Sequence, residues 1–277
     1  MAEVQTVSVA EALVLVETGA VRVLDVRSPG EYAELGHIPG SCLIPVELLS
    51  SAPAVLGPGL PVLVCCEHGV RSRQAAWFLS EAGLENVLDL EGGLCGWPGP
   101  REFGPGRVSG PTPWLLHHAR LLPRGGEALD VASGRGRDAL FLAALGLSVV
   151  ALDRDPEAIR ALQAVSERLR LPIAARVVDL EQDGYVVPRD AYSVVIVFRY
   201  LHRPLIPRLL EAVAPGGILV YETYTTAQKG RGHPQNPDFL LEPGELVGFV
   251  RGWEVLDHRE GEFPEGALAS LVARRLG

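Results

Sequence analysis

Short β-branched runs alternate along this chain with amphipathic stretches and with turns carrying Gly and Pro, a pattern that predicts strands and helices in α/β alternation. Ser8-Val9-Ala10-Glu11 has the spacing of a capping box ahead of an apolar helix. Val21 to Val26 reads as a short strand, and Ser28-Pro29-Gly30-Glu31 as a second capping box with proline at the first helical position. Val62-Leu63-Val64-Cys65 is a continuous apolar strand that runs into Cys66. A one-glycine loop and an amphipathic helix through Gln74-Ala75-Ala76-Trp77-Phe78-Leu79 follow, with Ser72 expected as the cap.

From Pro98 to Pro113 the chain carries five prolines and four glycines, which predicts a stiff, extended linker. The expected organisation is a first domain over 1–98, a linker over 99–112 and a second domain over 113–277. Thr112-Pro113 is expected to cap a short helix over 114–122. Beyond it, Glu127 to Val131 reads as a strand, followed by a tight Gly turn and a helix. A second strand, Leu147 to Leu152, ends at Asp153, a third ends near Asp179, and Ala212 to Val220 reads as helix, Gly-Gly turn and fifth strand.

A chain of 277 residues with 47% hydrophobic and 21% charged positions has material for two cores. No apolar run reaches the length of a membrane span, and residues 1–20 lack a basic start and a signal-like core, so the cytoplasm is expected and a membrane partner is not. The four cysteines (Cys42, Cys65, Cys66, Cys95) all fall in the first hundred residues, which is no disulfide framework for this size. No Cys/His grouping has zinc-site spacing, so no metal is expected. Residues 1–97 hold 4 Arg and 12 Asp/Glu, a balance of −8 within the chain's −9. An acidic first half argues against nucleic acid as its partner.

Cys66-Glu67-His68-Gly69-Val70-Arg71-Ser72 carries the first candidate chemistry. Backbone N–H groups at a helix start favour negative charge, so a cysteine at the loop mouth near Arg71 is expected as a nucleophilic thiolate. The alternative is a small buried hydrophobe at a strand end. Four residues separate Cys66 from Arg71, one fewer than in the phosphatase loop. The order Cys-x-x-Gly-x-Arg-Ser resembles the active-site loop of rhodanese-like sulfurtransferases. Leu24-Asp25-Val26-Arg27-Ser28-Pro29-Gly30-Glu31-Tyr32, with Gly36-His37-Ile38-Pro39-Gly40-Ser41, and Gly92-Gly93-Leu94-Cys95-Gly96-Trp97 resemble the family's first and closing boxes. The resemblance implies Cys66 as carrier of a persulfide and Arg71 as its catalytic neighbour, with Glu67, His68, Gly69, Val70 and Ser72 forming the persulfide loop. Asp25, Arg27 and His37 are expected in structural networks, a catalytic part being the alternative for Asp25 and Arg27. Cys95 is expected as a small residue packed between Gly and Trp, with resolution of a persulfide on Cys66 as the alternative.

The second half holds Leu129-Asp130-Val131-Ala132-Ser133-Gly134-Arg135-Gly136, a βαβ nucleotide-binding start, with Asp153 placed for ribose hydroxyls. Gly134-x-Gly136-x-x-Ala139 also satisfies the dinucleotide fingerprint, so a nicotinamide-dependent enzyme competes. The Leu-Asp-x-x-x-Gly-x-Gly run is similar to motif I of class I S-adenosylmethionine-dependent methyltransferases. Val178-Asp179-Leu180, Phe239 to Leu246 and Gly252-Trp253-Glu254 resemble the tellurite-resistance type. That resemblance implies S-adenosyl-L-methionine as cofactor, held by Asp130, Ala132, Ser133, Gly134, Gly136, Asp153, Arg154, Asp179 and Leu180. Strand-end turn formation is the alternative role for Asp153 and Asp179. Tyr221 to Asn236 is long, polar and Gly/Pro-rich and is expected as a substrate lid, with Arg199, Tyr221 and Tyr224 at the acceptor.

These expectations combine into an α/β enzyme of two domains, a small rhodanese-like parallel sheet followed by a Rossmann-like class I methyltransferase. Its expected partners are small molecules, a sulfur donor and a sulfur or chalcogen methyl acceptor. A catalytically silent first domain acting as a binding module is the alternative for that half.

Overall fold

The computed structural model describes residues 4–57, 59–106, 108–182 and 185–277, and elements are counted among these. Two compact units result, Met1–Pro111 with Ala164–Leu171, and Thr112–Gln163 with Pro172–Gly277.

In the first unit the chain runs β1 (Gln5–Val7), α1 (Val9–Glu17), β2 (Arg22–Asp25), α2 (Pro29–Glu34), β3 (Cys42–Leu43), α3 (Ala52–Leu56), β4 (Val62–Cys65), α4 (Val70–Glu81) and β5 (Val87–Leu90). Both capping boxes form: the Ser8 and Ser28 hydroxyls accept from the Glu11 and Glu31 amides, and each glutamate accepts in return from the serine amide. The strands form a parallel sheet in the order β1-β5-β4-β2-β3. β4 is central, and all four of its residues are buried, as an apolar run covered on both faces must be.

The stretch expected as a linker lies along this unit instead. Glu102 bridges His37 and Val108 bridges Leu43 in β3, while the Arg101 guanidinium donates to the Leu35 and Leu94 carbonyls. Gly106 fits under Tyr32, where a Cβ would stand 2.3 Å from the ring. This extended, proline-rich backbone still carries polar groups, and those of Glu102 pair with His37 while the Ser109 amide pairs with Leu43 of edge strand β3.

From Thr112 onward the chain runs α5 (Pro113–His117), β6 (Glu127–Val131), α6 (Arg137–Ala144), β7 (Ser148–Asp153), α7 (Pro156–Arg168), β8 (Ile173–Val177), β9 (Tyr192–Phe198), α8 (Ile206–Ala212), β10 (Val213–Tyr224), α9 (Glu245–Phe249), β11 (Glu254–Phe263) and β12 (Gly266–Arg274). The sheet order is β11-β12-β10-β9-β6-β7-β8. Its five Rossmann-like strands are parallel, and β12 runs antiparallel to both β10 and β11. The strand order reverses between β6 and β9, and in open α/β sheets ligands bind at the strand ends beside such a reversal. Thr112 does not cap α5 through its side chain; its amide and hydroxyl both donate to buried Asp138, the hydroxyl at 2.9 Å. α5 stops at His117, short of the expected 114–122, and a 3-10 turn over Ala119–Leu121 follows.

Candidate active sites: a cysteine loop and a cleft at the strand ends

Cys66 follows the last residue of β4 and is buried. Gly69, in the left-handed region at φ 79°, turns the loop and occupies the cap position of α4. Ser72, expected as the cap, therefore falls inside the helix. Its backbone N–H donates to Cys66 Sγ over 3.3 Å, and its hydroxyl donates to buried Asp89 at 2.7 Å. The first turn of α4 thus presents its unpaired N–H end to the sulfur. Neighbouring Cys65 is packed in the core with Leu63, Leu90 and Leu94, and burial pushes its thiol well above the ordinary range.

The rest of the loop divides into roles the sequence did not separate. Glu67 turns inward and accepts from Arg27 at 2.6 Å; Arg27 is fully buried and also grips Asp25 and the Gly36 carbonyl. Arg71 pairs with Glu31 through both terminal nitrogens, one at 2.8 Å. That bond holds the Glu31 carboxyl down at about 2 and raises the Arg71 guanidinium. His68, Gly69 and Val70 line a recess of about 270 Å³ with Arg73, Gln74 and Gly92.

The closing box is clamped onto the loop. The Leu94 amide donates to the Cys66 carbonyl at 2.8 Å, and the Cys95 amide to the Glu67 carbonyl at 2.9 Å. A Cβ on Gly93 would lie 2.5–2.6 Å from Cys66 O, Glu67 O and Gly69 N, so only glycine fits. Cys95 does not pack between Gly and Trp as expected. Leu94 and Trp97 supply that packing, which leaves Cys95 exposed with its thiol on the Gly92 carbonyl at 3.3 Å. His37 behaves as expected: its ring stacks on Tyr32 at 3.6 Å, and Nδ1 meets the Tyr32 carbonyl.

The second site is a cleft of about 460 Å³ where the parallel strands end, within the range of small-molecule sites. Ala132 (φ 57°), Asp153, Arg154, Asp179 and Leu180 all line it, brought together from the ends of β6, β7 and β8. Asp153 Oδ2 accepts the Gly134 amide at 2.6 Å and Oδ1 accepts the Asp155 amide, so it also turns the chain. Asp179 similarly accepts from the Glu181 amide. Asp130 is buried, and that burial, reinforced by the Asp138 charge, pushes its carboxyl well up. Gly136 caps α6 in the left-handed region; a Cβ there would collide with Leu162 at 2.4 Å.

On the far side stand Arg199, Tyr200, Tyr224, His233 and Phe239. Arg199 lies over the Tyr224 ring at 4.8 Å and pairs with Glu222 at 3.2 Å. The expected lid starts too early by sequence, because Tyr221 to Tyr224 belong to β10. Tyr221 is buried, donates to the Tyr200 carbonyl at 2.9 Å, and does not line the cleft; burial raises its phenol. The segment after β10 does reach the cleft through His233, Pro234 and Phe239, and Arg203 anchors it by holding Glu245 and the Asp238 and Leu240 carbonyls.

Residues 116–265 match the tellurite resistance protein TehB family, more than half the chain. The chain belongs to the TehB family. Ahead of that TehB domain, residues 8–99 match the rhodanese-like domain. The first half is 33% identical over 91 residues to thiosulfate sulfurtransferase GlpE of Pseudoalteromonas translucida, covering 33% of this chain and 86% of that protein. It is 34% identical over 83 residues to a sulfurtransferase of Allochromatium vinosum, covering 30% and 77%. The crystal structure of TehB from Haemophilus influenzae superposes with a TM-score of 0.50 at 22% identity, over 58% of this chain and 61% of that one. This TehB-family chain therefore spans less than two thirds of that relative and carries its fold. The two halves are a sulfurtransferase-type and a methyltransferase-type domain, both transferases.

S-adenosylmethionine is the cofactor of the TehB domain; of the residues expected to hold it, Ala132, Asp153, Arg154, Asp179 and Leu180 line the cleft, whereas Asp130, Ser133, Gly134 and Gly136 do not. Asp130 Oδ2 and Ser133 Oγ are buried without a hydrogen-bond partner among the described residues, as groups awaiting a ligand's donors are. The space where a Gly134 Cβ would stand is open to 4 Å. The TehB match sets aside the nicotinamide alternative.

Among the residues missed by sequence reasoning, Glu222 stands out. It is 1% exposed in apolar β10 and holds Arg199, Arg259 and Ser270 at once. The available signal was one acidic residue inside an otherwise apolar strand, which demands buried partners.

Proposed function

We propose that both halves are active, the first moving sulfur through Cys66 and the second methylating a small sulfur or chalcogen acceptor. The observation that carries the first part is the Ser72 N–H on Cys66 Sγ, with Gly93 seated against the loop that bears it. A binding module has no physical need for an amide aimed at a cysteine sulfur. With thiosulfate as donor, the Cys66 thiolate attacks the sulfane sulfur, a new S–S bond forms, and the bond to the departing sulfite breaks. A thiophilic acceptor then takes the outer sulfur and returns the thiolate. Cys65, buried and neutral, takes no part.

In the second half the cofactor supplies an electrophilic methyl group on a sulfonium. The chain's task is to orient it through Asp153 and Asp179, which line the cleft, with Asp130 behind them in β6, and to present the acceptor from the side of Arg199 and Tyr224. An acceptor that is already anionic requires no base, and no side chain here is assigned as one; positioning supplies the rate.

The test is mass spectrometry after thiosulfate treatment, run beside methyl transfer to hydrosulfide. One added sulfur on Cys66, lost in Cys66→Ser and kept in Cys65→Ser, supports the first reading, and sulfur on Cys65 overturns it. Methylation of a different acceptor class, with hydrosulfide and small thiols inert, overturns the second.

A further inference from the structure

His117 and His118 end α5, and Asp257 lies on β11, where the register with β12 shifts between Val255 and Asp257. That shift gives two residues of β11 one partner across the ladder, a bulge of the kind that re-aims a side chain. His118 is buried beneath Trp114, ring centroids 4.2 Å apart, and its Nδ1 lies 2.9 Å from the Trp114 carbonyl. Its Nε2 lies 2.9 Å from Asp257 Oδ2. A carbonyl and a carboxylate only accept. With Nδ1–H given to the carbonyl, the Nε2 lone pair faces a carboxylate oxygen, and an electron-poor centre has to lie between them.

A proton satisfies two of these groups. A metal cation satisfies three, because the ligand atoms of His117, His118 and Asp257 all lie within 4.8 Å of one another. An imidazole whose other nitrogen is fixed by a backbone carbonyl is also how proteins orient a metal-binding histidine. We propose that His117, His118 and Asp257 form a divalent metal site of zinc type. Two imidazoles and a carboxylate suit a borderline ion and not the hard cations that take oxygen ligands throughout. Bond lengths of about 2.1 Å at tetrahedral angles set ligand atoms about 3.4 Å apart, so the 2.9 Å pair has only to widen slightly and exposed His117 has to swing in. The nearby Arg259, whose guanidinium lies 4.7 Å from the Trp114 ring centre, is balanced by Glu222 at 3.1 Å. Such an ion ties the opening helix of the second unit to β11.

The experiment is zinc titration by calorimetry on the full chain, in a Cys42→Ser, Cys66→Ser, Cys95→Ser background so that the half-buried, the loop and the exposed thiol do not compete. His117→Ala and Asp257→Asn are the variants, since both side chains are exposed and the buried His118 is left intact. One zinc per chain is expected, with affinity falling more than about tenfold in each variant, the scale on which even outer-shell partners matter. Zinc is also expected to raise the Tm of the parent and not of the variants. Identical isotherms in parent and variants, or no binding in the parent, overturn the proposal.

Discussion

Ser72 donates its backbone N–H to Cys66 Sγ over 3.3 Å while its hydroxyl is committed to Asp89. The group that touches the sulfur is thus main chain, and the side chain serves the core. Ser72→Ala should keep persulfide formation on Cys66 and lower stability by about 1–3 kcal/mol, because a buried carboxylate loses a donor. Thermal unfolding and single-turnover sulfur transfer check this together. Loss of transfer at unchanged Tm would place the hydroxyl in the chemistry.

Glu31 links the second capping box to the cysteine loop, since it accepts from Ser28 and pairs with Arg71. Its carboxyl is held at about 2 in the folded chain, against 4.5 ordinarily. A depressed folded value means the stabilisation is fully present above about 4.5 and is lost as pH falls through about 2. Glu31→Gln keeps the shape of the cap and cannot ionise. The stability difference between parent and variant should therefore be present at neutral pH and shrink between pH 4.5 and 2, followed by denaturant unfolding. A constant difference across that window would mean the pair adds nothing.

Much of both sites was legible because local chemistry dictates it. The capping boxes, the β4 run into Cys66 and the Gly-containing turn after β6 each carry their own geometric requirement. What escaped depends on distant partners. Nothing in Pro98 to Pro113 shows that its backbone finds bonds at His37 and Leu43, and nothing near Glu67 shows that it turns to Arg27, 40 residues away. Tyr221 was misplaced on a lid because the strand beneath it continues to Tyr224, four residues further than its polar character suggests.

Asp153 serves the Gly134 turn and lines the cleft, so its two roles have to be separated by measurement. Asp153→Ala should weaken S-adenosylhomocysteine binding by about 1–3 kcal/mol, the cost of leaving ligand donors unpaired. Calorimetry on the full chain reads this directly. Unchanged affinity would reduce Asp153 to a turn residue.

Glu222 is the point at which β10, β12 and the acceptor side of the cleft meet. Its Oε1 faces Arg199 at 3.2 Å, and Oε2 takes both Arg259 at 3.1 Å and the Ser270 hydroxyl at 2.6 Å. Removing one charge from such a buried cluster leaves two guanidinium groups without an ionic partner, a change that costs about 3–5 kcal/mol where pairs are fully buried. Arg199 is about a quarter exposed and Arg259 about a third, so water offsets part of that cost. Glu222 itself does not line the cleft, whereas Arg199 does. Glu222→Gln should therefore lower the Tm, leave S-adenosylhomocysteine affinity unchanged, and reduce methyl transfer at least about tenfold, as displaced positioning groups do. The comparison that decides is turnover per folded molecule against cofactor affinity. If the two fall together, the damage is to the whole cleft and Arg199 has no separate part in presenting the acceptor.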